Sequence, residues 1–571
     1  MKRHRTLFYT LGCLTLLAVS CSKDFEKVPV EQITMDYVFD TGDSLGRNAK
    51  YFLNRVYEQL PQMHNRVGGD FLAAATDDAV TSVSGTPDVL RLSTGAFTSS
   101  AFPGTENVWG RDYAGIRDAT TFINNIGVVP TKEKISNGLS LKYVWRSEAR
   151  FLRAFFYFDL LKRYGGVPLV GDQVRQLGED VELPRNTFAE CVEYIVGECD
   201  AIKDSLRTYP VDNPAANSHV VTKGAVLALK ARVLLYAASP LFNGGNIDAV
   251  NPLTGYTDVQ SNRWQRAADA AREIINLNAY TLLPNFKEVF TVQNNSEIIF
   301  MRQGNSGTSI ESSNGPVGYA SANASGRTSP TQELVDAFPM KNGKSITQGG
   351  SGYNASDPYK DRDPRFYNTI LYNGARWLST DLETFEGGRS KPGGVSQQTK
   401  TSYYLRKFMG DFENSTSYSN TNHDYIHFRY AEVLLNLAEA VNESAGPTPE
   451  VYDAMMQLRK RAGINAGTDN MYGLEAGLTA AAMRAAIQNE RRIELAFEEH
   501  RYWDVRRWKI AEAVYNVPLH GMQINKSSSG RTTYTVVPVQ VDKFVAPKMY
   551  LYPIPYDEVV KNRNMKQNPG W

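Results

Sequence analysis

Apolar residues recur along this chain at intervals of three and four, which is the spacing of a helix that buries one face. The pattern is clearest in segment 429–441, whose apolar face is formed by Tyr430, Val433, Leu434, Leu437 and Val441. Segment 145–164 is apolar almost all round, as expected of a helix packed on both sides. We predict further helices at 187–206, 222–239, 263–277, 451–462 and 480–499. Helices of this length, recurring in pairs, predict a mainly α fold built from helix-turn-helix units.

Two segments, 298–301 and 534–539, are predicted as short strands. Between Gln303 and Tyr404 the composition changes to Gly, Ser, Asn, Thr and aromatic residues. Loops as long as 304–329 are usually functional when they belong to an ordered protein. We therefore expect these irregular loops to contribute to a binding site.

The N-terminus has the features of a secretion signal. Three basic residues precede an apolar run at 7–19, namely Lys2, Arg3 and Arg5. The run is too short to span a bilayer and is followed by Ser20 and Cys21, which predicts a signal peptide at 1–20. A small residue directly before a cysteine resembles the lipobox of bacterial lipoproteins. The resemblance implies acylation of Cys21, a lipidated tether at 21–40 and an outer-membrane location, and the charged residues after Cys21 resemble a tag for the cell exterior.

Composition favours one large ordered unit. No long Pro- or Ser-rich linker divides the 571 residues, so we expect a single domain at 41–571. A hydrophobic content of 42% disfavours both disorder and a membrane-spanning fold. Three of the 62 basic residues and none of the 61 acidic ones lie in the signal peptide, so the mature chain is almost neutral. That balance gives no electrostatic reason to expect nucleic acid as a partner.

The two cysteines of the mature chain beyond Cys21 are not expected to form a disulfide. Cys191 and Cys199 fall in the predicted helix at 187–206. Eight residues of helix separate them by about 12 Å, and a disulfide needs Cα atoms within roughly 7 Å. The fold must therefore be stabilised by burial.

Segment 489–508 combines an apolar stripe with many opposite charges close enough to pair across helical turns. Its glutamates and arginines could suggest catalysis, but a structural ion network is the interpretation we favour: Glu490, Glu494 and Glu498 with Arg491, Arg492 and Arg501. The segment thus predicts a charged scaffold helix.

Segments 429–440 and 489–508, followed by 551–555 and 567–571, closely resemble the SusD/RagB family of surface lipoproteins. The resemblance continues upstream in segments 148–157, 164–169 and 357–366 and so covers essentially the whole mature chain. The chain departs from the family pattern at Glu499, where the resemblance leads us to expect a small residue, usually Gly.

The resemblance implies a SusD-like fold, with tetratricopeptide-like helix pairs as scaffold, long irregular loops and a few short strands. It implies an N-terminal region at about 41–290 and a C-terminal region at about 291–571. It further implies a protein that binds an oligosaccharide or polysaccharide and delivers it to a SusC-like TonB-dependent transporter. No cofactor, metal or covalent chemistry is expected. A peptide or another nutrient is the alternative ligand within the same architecture.

Aromatic rings beside fixed carboxylate and guanidinium groups are what sugar recognition requires, since a ring covers the C–H face of a sugar and polar groups engage its hydroxyls. In the loops between Gln303 and Tyr404, and in a second patch at 68–109, the sequence offers these candidates for glycan binding: Asp77, Asp78, Trp109, Tyr353, Arg376, Trp377, Arg389 and Tyr404. The order of Asp77, Asp78 and Trp109 resembles that of sugar-contacting residues in some members of the family.

Enzymatic alternatives have weaker support in the sequence. Asp77 and Asp78 are adjacent, so their side chains diverge and do not form the separated carboxylate pair of a glycoside hydrolase. His423 and His427 have a spacing that binds metal on a helix, but Asp424 replaces the glutamate of the zinc-protease motif. A glycan-degrading surface enzyme remains the alternative from another functional class.

Overall fold

The computed structural model describes residues 34–62, 64–175, 179, 182–395 and 397–571. The predicted signal peptide at 1–20, the acylation site Cys21 and the greater part of the tether at 21–40 lie outside the described residues. The predicted mainly α fold is confirmed, and the strands are confined to small two-stranded sheets. The division into regions 41–290 and 291–571 stays a prediction.

Ten longer helices form the scaffold: α1 Arg47–Glu58, α2 Trp109–Asn125, α3 Leu141–Tyr164, α4 Phe188–Ile202, α5 Lys223–Ala238, α6 Asn262–Ile275, α7 Tyr430–Ala445, α8 Pro449–Ala462, α9 Ala480–Glu494 and α10 His500–Arg507. From α2 to α8 each helix packs against the next one in the chain, and α9 packs on α7. The helix-turn-helix arrangement predicted from the sequence is therefore present.

Short α-helices complete the helical structure of the described residues: Met35–Val38, Asp88–Thr94, Pro214–Asn217, Glu288–Thr291, Ser309–Asn314, Gln332–Ala337, Pro364–Thr369, Ala511–Tyr515 and Tyr556–Lys561. Single 3-10 turns lie at Leu72–Ala75, Gly104–Glu106, Ile126–Val128 and Lys548–Tyr550.

The strands are β1 Ala79–Thr81, β2 Ile298–Arg302, β3 Ser306–Gly307, β4 Thr328–Pro330, β5 Ile370–Leu371, β6 Arg376–Trp377, β7 Thr380–Asp381, β8 Tyr404–Leu405, β9 Thr421–Asn422, β10 Tyr425–Arg429, β11 Pro518–Lys526 and β12 Thr532–Val541. All six pairs are antiparallel: β1 with β4, β2 with β10, β3 with β9, β5 with β8, β6 with β7 and β11 with β12. Both predicted strands are confirmed, as β2 and within β12.

Local capping explains why the predicted helices begin where they do. Thr187 accepts a hydrogen bond from the backbone N–H of Glu190, whose carboxylate accepts one in return from the N–H of Thr187. This reciprocal arrangement satisfies two N–H groups that the first helical turn leaves without partners. Thr222 caps α5 and Thr479 caps α9 in the simpler, one-directional way.

Cys191 and Cys199 are buried free thiols in α4, as predicted from their spacing. Burial raises the pKa of both thiols, so neither is activated as a nucleophile.

The single helix predicted at 480–499 is wrong at its C-terminal end. α9 stops at Glu494, and α10 starts at His500. Phe497 and Glu499 have positive φ angles of 63° and 61°, which a continuous helix does not allow. The left-handed conformation at Glu499 explains why the SusD resemblance leads one to expect Gly there, since Gly adopts it without steric cost.

Glu499 is held in this conformation by a buried ion pair. Its carboxylate accepts two hydrogen bonds from the Arg66 guanidinium, at 2.6 and 2.8 Å, and Arg66 also contacts Glu106. Burial raises the pKa of Glu499, while the positive charge of Arg66 opposes that shift. A glycine at position 499 would therefore leave Arg66 without this carboxylate partner.

We expect Glu499→Gly to lower the free energy of unfolding by about 2 to 4 kcal/mol. Relief of the left-handed strain is worth roughly 1 kcal/mol, but removing one partner of a buried ion pair costs about 3 to 5 kcal/mol. Chemical denaturation of the variant measures the balance. The double variant Arg66→Met with Glu499→Gly should not recover wild-type stability, because it also removes the cation that contacts the buried Glu106. A Glu499→Gly protein that is more stable than the wild type would contradict this account.

The three predicted glutamates lie in a buried structural ion network, but the predicted arginine partners are wrong. Arg491 pairs with Asp504, Arg492 with Asp77 and Asp78, and Arg501 with Asp77. Five carboxylates alternate with five cations in the core: Asp363, Glu297, Glu490, Glu494 and Glu498 with Arg365, Arg429, Arg459, Arg461 and Lys407. Burial raises the pKa of Glu494, but three neighbouring guanidinium groups more than offset this and hold the pKa well below its usual range. We call this set the ion network. It joins α8, α9 and β10 to the loops around residues 363 and 407.

Candidate functional site

Several of the predicted glycan-binding residues meet in one group of loops. The turn between β6 and β7 pairs Trp377 with Thr380, and Leu378 and Ser379 at its tip both have positive φ. Two-residue hairpin turns need that conformation because its twist matches that of the strands. The turn thereby fixes Thr380 at the surface, beside Arg389 and Tyr319.

Hydrogen bonds and a cation–π contact connect these residues. Arg389 donates from Nη1 to the hydroxyl of Thr380 at 3.2 Å, and this hydroxyl lies 3.2 Å from the hydroxyl of Tyr319. The guanidinium carbon of Arg389 is 5.5 Å from the centre of the Tyr319 ring, within the range of an attractive cation–π contact. Arg376 is 50% exposed on the same hairpin and faces Asp381 at 3.7 Å. We call Tyr319, Thr380 and Arg389 the loop cluster. Arg376 lies on the same hairpin, but no hydrogen bond, ion pair or ring contact among the described residues joins it to these three.

Trp377 belongs to the core beneath the loop cluster. Its side chain is 0% exposed, its indole N–H donates to the Tyr418 hydroxyl at 3.2 Å, and Phe412 packs edge-on against it at 5.8 Å. The Arg406 guanidinium lies over the ring at 5.1 Å. The prediction that Trp377 stacks on a sugar needs correction, because its ring already has partners and presents no surface to a ligand.

Tyr404 is also fully buried. Its hydroxyl donates to the backbone carbonyl of Ser390, and its ring lies directly against Gly326, where a Cβ would come within 2.5 Å. Tyr404 thus anchors the loop that carries Arg389 and is not itself available to a sugar. Only glycine fits at position 326, because a Cβ there would collide with the Tyr404 ring.

Asp77 and Asp78 lie buried at the start of β1, and their carboxylates are engaged by arginines. Asp77 accepts two hydrogen bonds from Arg501, at 2.8 and 2.7 Å, and Asp78 accepts one from Arg492 at 2.7 Å. Burial raises the pKa of Asp77, but Arg492 and Arg501 more than offset it and lower the pKa to about 2. The predicted role in sugar binding is corrected accordingly, because both carboxylates join β1 to α9 and α10.

Trp109 and Tyr353 are not connected to the loop cluster by any hydrogen bond, ion pair or ring contact among the described residues. Trp109 begins α2, is 6% exposed, and packs against the rings of Tyr113 and Tyr164. It lines a separate cavity of about 490 Å³. Tyr353 is partly buried with Arg362 5.8 Å from its ring. Roles of Trp109 and Tyr353 in ligand binding stay predictions.

The sequence analysis did not select Tyr319, Thr380 or Tyr418. Tyr319 lies in the irregular segment that was singled out, but nothing in its neighbourhood distinguishes it from other loop tyrosines. Tyr418 lies within a further segment rich in Ser, Asn and Thr at 410–422, which is a similar compositional signal outside the chosen boundaries.

The spacing of His423 and His427 does not correspond to a helix. His427 lies in β10, where its ring packs against Phe155 and Phe300. His423 Nε2 lies 3.2 Å from a carboxylate oxygen of Glu311. Within the described ranges, no three His, Cys, Asp or Glu side chains are grouped so that they could hold a metal ion.

The chain matches two family models. Residues 294–571 match the model described as "SusD family", and residues 74–235 match the one described as "Starch-binding associating with outer membrane". Together these matches take in more than three quarters of the chain. Over the residues whose structure is described, no helix has the length and apolar character needed to cross a bilayer.

Similar proteins are known in Bacteroidetes. SusD-like protein P2 of Formosa agariphila is 26% identical over 481 residues, which are 81% of this chain and 80% of that protein. A SusD-like protein from Bacteroides fragilis is 26% identical, with a TM-score of 0.75 and coverage of 95% of this chain and 100% of that one. A SusD-like carbohydrate-binding protein from the same species is 24% identical, with a TM-score of 0.70 and coverage of 91% and 98%. The chain belongs to the SusD family.

Proposed function

We propose that this protein binds a glycan at the cell surface and that the loop cluster contacts the sugar. The observation that carries the proposal is the grouping of an aromatic ring, a hydroxyl and a guanidinium outside the core, in Tyr319, Thr380 and Arg389, with Arg376 exposed on the hairpin that carries Thr380. A tyrosine ring can cover the C–H face of a sugar, while guanidinium and hydroxyl groups bind its hydroxyls. The family description of starch binding supports the same ligand class.

The proposed role is binding without cleavage. A glycoside hydrolase uses two carboxyl groups on either side of the scissile bond. Asp77 and Asp78, the carboxylates that sequence analysis placed at the site, are both engaged by arginines. Asp381 faces Arg376 at 3.7 Å, and Glu383 accepts a hydrogen bond from the backbone N–H of Arg389 at 3.4 Å, so these two carboxylates also have partners.

We further propose that Cys21 is acylated, that the protein faces the cell exterior, and that it delivers its ligand to a SusC-like TonB-dependent transporter. The signal sequence and family membership support this arrangement. The Cys21→Ala chain should lose its partitioning into detergent, and unchanged partitioning would refute acylation. Extraction in mild detergent should recover a barrel protein with the wild type, and repeated recovery of the free lipoprotein alone would refute the complex.

Affinity measurements on loop-cluster variants test the proposed glycan site. We expect Tyr319→Ala to weaken binding of the cognate polysaccharide roughly 5- to 150-fold, which corresponds to about 1 to 3 kcal/mol for an aromatic hot spot. Arg389→Gln should weaken it in the same direction, because it removes a charged donor. Retention on a polysaccharide panel identifies the ligand, and calorimetric titration then gives the affinities.

Tyr556→Ala is a suitable control, since Tyr556 is an exposed tyrosine outside the loop cluster. It should leave affinity unchanged. Release of reducing ends during incubation would show an enzyme instead, and retention of peptides but of no polysaccharide would favour the peptide alternative. Folded Tyr319 and Arg389 variants with wild-type affinity would remove the loop cluster from the site.

A further inference from the structure

A polar cavity of about 290 Å³ is lined by residues of three parts of the chain that the loop cluster does not use: 62 with 64–65, then 302–310, and 423 with 425. Four side-chain amides line it: Gln62, Asn65, Gln303 and Asn305. Among the described residues that line the cavity, none is acidic, and Arg302 contributes a guanidinium. Amides offer donors and acceptors together, so the lining suits a ligand with many hydroxyls.

Among the described residues, Arg302 uses only part of its hydrogen-bond donors. It donates to the backbone carbonyl of Leu60, and no carboxylate within the described part of the chain lies at ion-pair distance. Arg185 and Arg362, two other arginines without a carboxylate partner, each donate to three backbone carbonyls. Burial lowers the pKa of Arg302, and the nearby charge of Arg111 adds to that effect. A half-buried cation in this state favours an anionic partner.

His423 supplies a second group without a partner. Its Nε2 is paired with Glu311 at 3.2 Å, while its buried Nδ1 has no hydrogen-bond partner among the described residues. Buried polar atoms are nearly always hydrogen-bonded in folded proteins. An imidazole that donates from Nε2 to a carboxylate presents Nδ1 as an acceptor, which a sugar hydroxyl can satisfy.

His64 does not add charge to the lining. Its ring packs between Phe408, at 4.7 Å, and Tyr425, at 5.4 Å. Burial, reinforced by the proximity of His423, lowers the pKa of His64 to about 3. The ring is therefore neutral at physiological pH, and Arg302 is the cation of the lining. The carboxylates of Glu311 and Asp424 lie behind the lining, against His423 and the backbone N–H of Gly304.

We propose that this cavity binds one sugar-acid unit, a ring that carries a carboxylate as well as hydroxyls. The carboxylate pairs with the Arg302 guanidinium, and the hydroxyls bind the amides and His423 Nδ1. Arg–carboxylate pairs are among the strongest hydrogen-bonded contacts in proteins. A volume at the lower end of the range for small-molecule sites suits a single ring better than a chain. The inference rests on the proposed glycan-binding function and narrows it to glycans that contain uronic acids.

Titration with sodium glucuronate and sodium galacturonate, each compared with the parent neutral sugar, tests the proposal on the whole mature protein. At least one uronate should bind about tenfold or more tightly than its neutral counterpart, and added salt should weaken it. Arg302→Gln should weaken uronate binding about tenfold or more. Asn305→Ala, which changes an exposed residue and so spares the fold, should weaken it by about two- to tenfold.

Arg531→Gln is the matched control, because it removes an exposed arginine that belongs neither to the cavity lining nor to the loop cluster, and it should leave uronate binding unchanged. Equal affinity for uronates and neutral sugars, or wild-type affinity in both Arg302→Gln and Asn305→Ala, would overturn the proposal. Absence of uronate binding would also overturn it, even if the protein is retained on neutral polysaccharides and the proposed function therefore stands. Failure of every polysaccharide to bind would refute the proposed function instead. The uronate titration would still decide whether this cavity binds a sugar acid.

Discussion

Arg429→Met should lower the free energy of unfolding by about 3 to 5 kcal/mol, because the change removes a cation shared by three buried carboxylates and leaves an excess of buried negative charge. Arg429 donates to Glu297 at 2.8 Å, to Glu494 at 2.7 Å and to Glu498 at 2.7 Å. The methionine keeps most of the volume, so the loss reports charge and hydrogen bonds and not a cavity. Chemical denaturation of the variant and the wild type gives the difference.

Arg376→Met makes the same substitution at a surface ion pair. Arg376 is half exposed and lies 3.7 Å from Asp381, so the Arg376→Met substitution should change the unfolding free energy by less than about 1 kcal/mol. Equal effects of the two substitutions would show that the ion network does not stabilise the core.

The ion network should also make stability depend on acidity. The folded-state pKa of Glu494 lies well below its usual range, and that of Asp77 falls to about 2. A carboxyl group whose pKa is lower in the folded state than in the unfolded state stabilises the fold fully at pH values above its unfolded-state pKa, near 4. This stabilisation is lost as the pH falls from there toward the folded-state pKa. Acid unfolding curves should therefore show a loss of stability below about pH 4. Over the same pH range, the unfolding free energy of the Arg429→Met protein should fall by less than that of the wild type.

The scaffold could be predicted from the sequence because helix formation depends on local patterns. The apolar face of α7 and the threonine caps of α4 and α5 are visible in a short stretch of residues. The break at Glu499 was not predictable from apolar spacing, since the pattern in 480–508 continues through it. The resemblance to the SusD family did point to this position, and the structure supplies the reason in its positive φ.

The site was predicted less well because the role of a loop side chain depends on contacts that are distant in sequence. Arg389 contacts Thr380 and Tyr319 in the loops, while Arg376 on the hairpin of Thr380 pairs with Asp381. The role of both arginines in binding stays a prediction. Asp77 is neutralised by Arg501, which is 424 positions away. No local signal distinguishes a buried aspartate with a distant arginine from one that binds a sugar. The same ambiguity applies to tryptophans, which are large enough to form either a core or a binding surface.

Trp377→Ala should therefore reduce stability and not primarily ligand affinity. Removing a fully buried tryptophan costs about 3 to 5 kcal/mol in unfolding free energy, because packing is lost and a cavity remains. Phe412, Tyr418 and the Arg406 guanidinium all lose their contact with the ring. Thermal and chemical denaturation measure the loss.

Trp377→Phe separates the hydrogen bond from the packing. It keeps an aromatic ring but removes the indole N–H that binds the Tyr418 hydroxyl at 3.2 Å, so it should cost about 1 kcal/mol for that bond, together with a smaller packing loss than alanine causes.

Tyr319→Ala, which changes a partly exposed ring in the loop cluster, should give the opposite pattern, with lower affinity and little change in stability. Because Trp377 supports the turn that carries Thr380, its alanine variant can also weaken binding through displacement of the loop. A Trp377→Ala protein with wild-type stability and lost glycan affinity would show that the ring contacts the sugar, and would return Trp377 to the binding site.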